Sequence, residues 1–328
     1  MKRRIRRIVA LIFLLIVGLV AFLTKRALEP TGAGEGYLRI DHQTPIVEVL
    51  KLAEEKGYVR SAQTTAFIAS LSGRSKISIG TYRLSGKVDG LANVRRLFHP
   101  MEQMVRIPET NWAKRTANIL QKREVCSAEE YLAEVNHPQG RKTDFPLPDD
   151  TLEGYLYPDT YDLPPLMGAK AVVGRQLEAF RKKVWEPLGK PKDLHHILIL
   201  ASLVQLEAGP DEDRPMIAGV IENRLAKKMN LQIDASLLYG MGKWRRLTFK
   251  DYKEFDSPYN LYTHGGLPPT PICSPSIASI RAAMNPARHN YLYYVALPSG
   301  KSLYAATYEE HKKNIEKRKE ALKQAAKP

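Results

Sequence analysis

Apolar residues fill positions 8–23 without a break, whereas beyond residue 36 they recur at periods of two or of three to four. The first pattern belongs to a helix that is apolar all round, the second to strands and helices with one buried face. Tyr37-Leu38-Arg39-Ile40 alternates like a strand. Thr44 is placed to cap a helix running through Val47, Leu50 and Ala53, and Ala62 to Leu71 is a second amphipathic segment. Ile77 to Leu84 alternates again, Val105 to Thr110 reads as a strand, and Trp112 to Leu120 as a helix. Further on, an aliphatic helix is expected from Leu194 to Glu207 after an N-capping Asp193, and another over 214–225 with Pro215 in its first turn. Tyr291 to Leu297 and Lys301 to Ala306 flank Ser299-Gly300, a hairpin by alternation and turn chemistry. Thr307 and Glu310 then have capping-box spacing for a basic terminal helix.

The run Ile8–Leu23 follows Lys2, Arg3, Arg4, Arg6 and Arg7 and precedes Lys25 and Arg26. Sixteen residues rise about 24 Å, and flanking basic side chains snorkel to reach the roughly 30 Å of a hydrocarbon core. A cleaved signal peptide is the alternative; the residues after the run offer no A-x-A site, which favours an uncleaved anchor. Basic residues ahead of the run put the N-terminus in the cytoplasm and the body outside, as a single-pass protein. Residues 29–36 (EPTGAGEG) read as a polar, glycine-rich tether.

Composition is ordinarily globular, at 44% hydrophobic and 26% charged. The formal charge of +15 suggests nucleic acid, but residues 1–26 and 311–328 together hold twelve of those fifteen charges. The body is nearly balanced and has no nucleic-acid-binding signature, so no nucleic-acid partner is expected. Cys126 and Cys273 lie far apart; the reading favours two unbridged thiols over a disulfide. The eight histidines are scattered, and neither a metal site nor a cofactor loop is evident.

Glu207 is the most informative residue. It closes a helix with eight Leu, Ile or Val residues, four positions after Leu203 and eight after Ile199, on an apolar face. Desolvation raises the pKa of such a carboxyl, and the negative end of the helix dipole adds to the effect. A carboxyl kept protonated near neutrality suits general acid catalysis of glycosidic cleavage. By position alone, a glutamate fraying into solvent beside Gly209 is the simpler reading.

Longer strings carry a family resemblance. Residues 151–161 (TLEGYLYPDTY) are close to "LEGYLFPDTY", and Ala201–Ala208 resembles "ASIVEKEA", with Gln205 at the first Glu and Glu207 at the second. Arg214–Leu225 is similar to "R-x-x-V-A-G-V-F-x-N-R-L", Leu231–Gly240 to "LQSDPTVxYG" with Ala235 in place of Pro, and Ser257–Tyr262 followed by Gly266–Pro269 to "SPYNTY…GLPPGPI". Gly80, Tyr82 and Leu84 match a "G-x-Y-x-L" strand, and Ile107-Pro108-Glu109-Thr110 resembles "IPEG". In these features the chain resembles the MltG-type (YceG-like) endolytic murein transglycosylases.

The resemblance implies an α+β protein: cytoplasmic residues 1–7, an anchor over 8–24, a linker over 25–36, a LysM-like module over 37–100, a connecting segment over 101–150, and a mixed α/β catalytic domain with a buried catalytic helix over 151–328. It implies Glu207 as the catalytic acid acting on peptidoglycan glycan strands at the inner membrane, with the body in the periplasm and peptidoglycan synthases as partners. Asn223, Gln232, Asp234, Tyr239, Tyr259, Asn260 and Tyr262 are the substrate-binding candidates, since aromatic faces stack on sugar rings and amides and carboxylates bond hydroxyl and acetamido groups. Each of these taken singly also has a structural reading as a cap, a core ring or a turn. Two rival functions remain: a hydrolytic muramidase pairing Glu207 with Asp234 or another carboxylate, and a non-catalytic glycan-binding scaffold.

Overall fold

The computed structural model describes residues 2–71, 73 and 75–325. The expected domain limits at residues 1 and 328 therefore lie outside the described residues. The chain forms two compact units. Among the described residues, the first holds those up to 104 with 123–126 and 162–167, and the second holds 105–122, 127–161 and 168–325.

The first unit begins with α1 (Lys2–Leu28), of which Arg4–Leu28 is long and apolar enough to cross a membrane, with residues 4–23 exposed. Then come β1 (Glu35–Ile40), β2 (Thr44–Pro45), α2 (Ile46–Glu55), α3 (Ala62–Ser70), β3 (Lys76–Ile77), β4 (Gly80–Ser85) and α4 (Gly90–Arg96). β1 and β4 pair antiparallel from Glu35↔Ser85 to Ile40↔Gly80. Leu38, Ile40, Tyr82 and Leu84 point from this ribbon into a core completed by Val49, Leu50 and Ala53 of α2 and Ala62, Ala66 and Ala69 of α3.

Two local expectations are corrected here. Thr44 does not cap α2: it lies in β2, opposite Ile77, and its hydroxyl donates to the His42 carbonyl. The buried face of α2 consequently starts at Ile46, not Val47. The glycine-rich stretch after α1 is not a loose tether either. The Gly32 amide donates to Gly86 O, the Gly86 amide to Gly34 O, and the Arg60 guanidinium to Pro30 O. Small residues here permit close backbone approach, since a methyl group at Gly86 would stand 2.7 Å from Ala33 N.

The short strands β5 (Met104–Arg106) and β6 (Thr160–Asp162) pair with each other. The second unit contains α5 (Ala113–Lys122), α6 (Ala128–Asn136), α7 (Ala169–Phe180), which continues through one π turn to Trp185, α8 (Leu194–Glu207), α9 (Asp213–Ala226), α10 (Asp234–Gly240), α11 (Phe249–Glu254), α12 (Ile277–Met284), the antiparallel hairpin β7 (Tyr293–Ala296) and β8 (Ser302–Ala305), and α13 (Tyr308–Ala325). Helix α8 starts where expected, though Asp193 makes no side-chain cap. Its residues 198–205 are all buried, so it is a central element on which the others pack. The hairpin turns at Gly300 with φ +87°, and Thr307 and Glu310 form the expected capping box before α13. No disulfide joins Cys126 and Cys273.

Candidate functional site

Glu207 is the last residue of α8, and the chain leaves the helix in extended conformation at Ala208. Gly209 follows because the hairpin tip comes close: a methyl group there would lie 2.6 Å from Gly300 O. The hairpin in turn lays Tyr294 beside the carboxyl, and its hydroxyl donates to Glu207 Oε2 at 2.8 Å. Glu207 keeps part of its surface open to solvent, yet protein surrounds it closely enough for desolvation to push its pKa up to about 7. The Tyr294 hydrogen bond and the charge of Arg224 oppose that rise, and the charge of Asp234 adds to it. Burial and the neighbouring carboxyl raise the pKa of Tyr294 well above the ordinary range, so it remains a donor.

Arg224 holds this arrangement together from α9. It is buried, with Nε donating to Leu292 O at 2.6 Å and Nη1 to Leu231 O at 2.7 Å and Asn230 O at 3.3 Å, and its guanidinium lies 5.3 Å from the centre of the Tyr293 ring. One side chain thus ties the entry of the hairpin to the loop before α10. Gly219 of α9 admits the segment leading to the hairpin, because a methyl group there would meet Ala287 O at 2.3 Å. Asn223 grips the same segment, donating to His289 O at 2.8 Å and Tyr291 O at 3.0 Å.

Asp234, the first residue of α10, faces the site from the other side. Gln232, at φ +55°, makes the left-handed turn that leads into it, and its amide donates to Leu261 O. Tyr262 donates to Asp234 Oδ1 at 2.6 Å, and Tyr252 stands 3.4 Å from Oδ2. The two rings meet edge to face, 4.6 Å apart, and with Phe249, Lys253 and Thr263 they line an open pocket of about 380 Å³. Phe249 is 73% exposed, with the Lys253 ammonium 4.6 Å from its ring centre.

The eight candidates therefore separate. Glu207, Asp234 and Tyr262 come together, and Gln232 shapes the turn beside them with its side chain exposed. Asn223 and Asn260 bond backbone carbonyls, the latter those of Tyr252 and Phe255 from a fully buried position. Tyr239 and Tyr259 belong to a different cluster, with rings 5.0 Å apart and Trp112 5.3 Å from Tyr239. At its centre Glu153 is buried, with Oε2 accepting from the Ala113 amide and desolvation pushing its pKa up to about 8.

Three contributors escaped the reading of the sequence as site residues: Tyr294, Arg224 and Tyr252. Arg224 stood inside a quoted string and Tyr294 on an alternating strand, but neither position reveals a partner 68 or 87 residues away. Gln205, where the family pattern has Glu, points away from Glu207. Its Oε1 accepts from the Ser276 amide and the Ser279 hydroxyl in the contact with α12. A larger pocket of about 830 Å³ between residues 133–145 and α7 includes none of the candidates and is lined by ion pairs such as Arg141–Glu134 and Arg181–Glu178. Among the described residues no group of His, Cys, Asp and Glu is arranged to hold a metal ion.

The model of the YceG-like family matches residues 38–317. An endolytic murein transglycosylase of Bacillus subtilis (strain 168) is 39% identical over 172 residues, covering 51% of this chain and 48% of that protein. Endolytic murein transglycosylases of two Streptococcus pneumoniae strains are 36% identical over 174 residues, covering 50% of this chain and 32% of theirs. The chain thus matches less than half the length of these curated relatives. The crystal structure of a yceG-like protein from Listeria monocytogenes superposes with a TM-score of 0.54 at 27% identity, over 86% of this chain and 99% of that one.

Proposed function

Since this chain belongs to the YceG-like family, with the family model matching residues 38–317, we propose that it is an endolytic murein transglycosylase, cleaving peptidoglycan glycan strands between N-acetylmuramic acid and N-acetylglucosamine. The observation that carries this reading is Glu207: a carboxyl held up to about 7, bonded through Oε2 to Tyr294, and flanked by Asp234. The names of the relatives support the substrate class.

In the proposed reaction, neutral Glu207 gives its proton to the glycosidic oxygen as the bond to the muramoyl C1 breaks. The resulting carboxylate, supported by the Tyr294 hydroxyl and the Arg224 charge, takes the proton of the muramoyl C6 hydroxyl. That oxygen closes on C1 and leaves a 1,6-anhydro end. The nucleophile comes from the sugar itself, so water is not consumed and one carboxyl serves as acid and then base. Asp234, Gln232 and Tyr262 bind the glycan beside the acid, with Tyr252 and Phe249 offering ring faces in the adjoining pocket. Asn223, Tyr239, Tyr259 and Asn260 act from behind, by fixing the loops that carry these groups.

Helix α1 is read as a single membrane span, residues 37–100 as a LysM-like module, and the rest of the chain as lying outside the inner membrane near newly made strands and their synthases. A second reading, hydrolysis, draws on Asp234, whose charge is felt at Glu207 and which is available to direct a water molecule. Digestion of purified glycan strands with the full-length protein, followed by mass spectrometry of the product ends, separates the two. Anhydro ends are expected. Reducing muramic ends would replace transglycosylation with hydrolysis.

A further inference from the structure

The first unit carries a basic pocket that the chemistry at Glu207 does not use. Its volume is about 580 Å³, and its lining includes Glu35, Arg83, Arg95, Arg96 and His99. Glu35 is paired with Arg83, which leaves Arg95 and Arg96 with no ion pair among the described residues. Two arginines left open beside a cavity of this size form a site for a tetrahedral oxyanion, because the guanidinium fork matches phosphate oxygens in a bidentate manner.

The place of the pocket says where that phosphate would come from. Asn93 of α4 is fully buried and accepts from the Ser85 amide while donating to Ser85 O and Tyr58 O, so the helix is fixed against β4. At its other end Gly90 abuts the last residue of α1: a methyl group there would stand 3.4 Å from Leu28 Cδ2. Arg95 and Arg96 follow five and six residues later, no more than about 10 Å along the helix at 1.5 Å per residue. The clamped segment 29–36 keeps this distance short, with Gly32 and Gly34 bonded to Gly86. With α1 across a bilayer, the two arginines stand at headgroup level, within about one Debye length of the surface.

We propose that this pocket binds the phosphate of an anionic lipid headgroup at the membrane surface, taking α1 as a span. Binding there fixes the first unit against the bilayer at a point separate from the apolar anchor. The same phosphate chemistry is offered by the pyrophosphate of a polyprenyl carrier, and the test distinguishes the two.

Full-length protein in detergent micelles is titrated with phosphatidylglycerol, with phosphatidylcholine and with a polyprenyl pyrophosphate, and retained lipid is counted by native mass spectrometry. No glycan is present, so the outcome is independent of any cleaving activity. The wild type is expected to retain phosphatidylglycerol over phosphatidylcholine, and the R95A/R96A variant to bind it about thirty-fold more weakly, the effect of two basic residues near a lipid surface. The R95Q/R96Q variant, which keeps long polar side chains, should lose as much. Equal phosphatidylglycerol affinity in wild type and both variants would overturn the site. A loss confined to the pyrophosphate arm would overturn the phospholipid assignment.

Discussion

Glu207→Gln is expected to lower the rate of glycan cleavage about a thousandfold, measured as anhydro ends released per minute at pH 6. The amide has the same shape and still accepts a hydrogen bond from Tyr294, so loop positions and glycan affinity should change little. It has no proton to give. General acid catalysis contributes roughly 10²–10⁴-fold, and here one group is both acid and base. The same variant has a stability signature. The Glu207 pKa is about 7 in the fold against 4.5 for the free side chain. Its contribution to stability is therefore fully present below about pH 4.5 and is lost as pH rises through about 7, a change on the order of 3 kcal/mol. Glu207→Gln should match the wild type at pH 4 and exceed it at pH 8 in chemical denaturation. A variant that cleaves within a few fold of the wild type would remove Glu207 from the chemistry.

The second large effect is expected at Arg224. Arg224→Ala leaves the carbonyls of Leu292, Leu231 and Asn230 without their donor in a buried setting. Each orphaned acceptor costs about 1–3 kcal/mol, less whatever water enters the cavity. A net loss of about 3 kcal/mol is expected, which for a unit of this size lowers Tm by on the order of 10 °C. Arg224→Lys should recover less than half, because a single ammonium cannot reach carbonyls on two separate segments in the fork geometry. Thermal unfolding followed by circular dichroism checks both. A shift under 2 °C for the alanine variant would show that the loops hold themselves. Activity should fall as well, since Leu292 lies two residues before Tyr294 and its displacement withdraws the hydroxyl from Glu207.

The two expectations share a cause that also marks the limit of what the sequence made legible. Local patterns identified the elements that depend on their own residues. The aliphatic density of 194–207 placed α8 and put Glu207 at its end, the alternation around Ser299-Gly300 placed the hairpin, and the Thr307–Glu310 spacing placed a cap. What the patterns did not contain was the meeting of segments distant in the chain. Tyr294 and Glu207 are 87 residues apart, and nothing in either local string specifies their hydrogen bond. Thr44 satisfied the composition of a helix cap, yet pairing with Ile77 took it into a strand, where the tertiary partner outweighs the local preference. Residues 29–36 had the composition of a free linker, but glycine allows close backbone contact as readily as flexibility, and here Gly86 is opposite. Tyr239 stands in the same family string as Asp234, and Tyr259 in the same string as Tyr262. Only the fold sends Tyr239 and Tyr259 to Glu153 and Asp234 to Glu207.

The proposed cleavage depends on one proton. Carbon-13 labelling of glutamate side chains, with the Glu207 resonance assigned by its loss in Glu207→Gln, allows that carboxyl to be titrated directly by NMR. The curve is expected to have its midpoint near pH 7 and to move lower in Asp234→Asn, where the neighbouring negative charge is gone. A midpoint near 4.5, unmoved by Asp234→Asn, would mean that Glu207 is an ordinary ionised carboxylate at neutral pH and cannot be the acid.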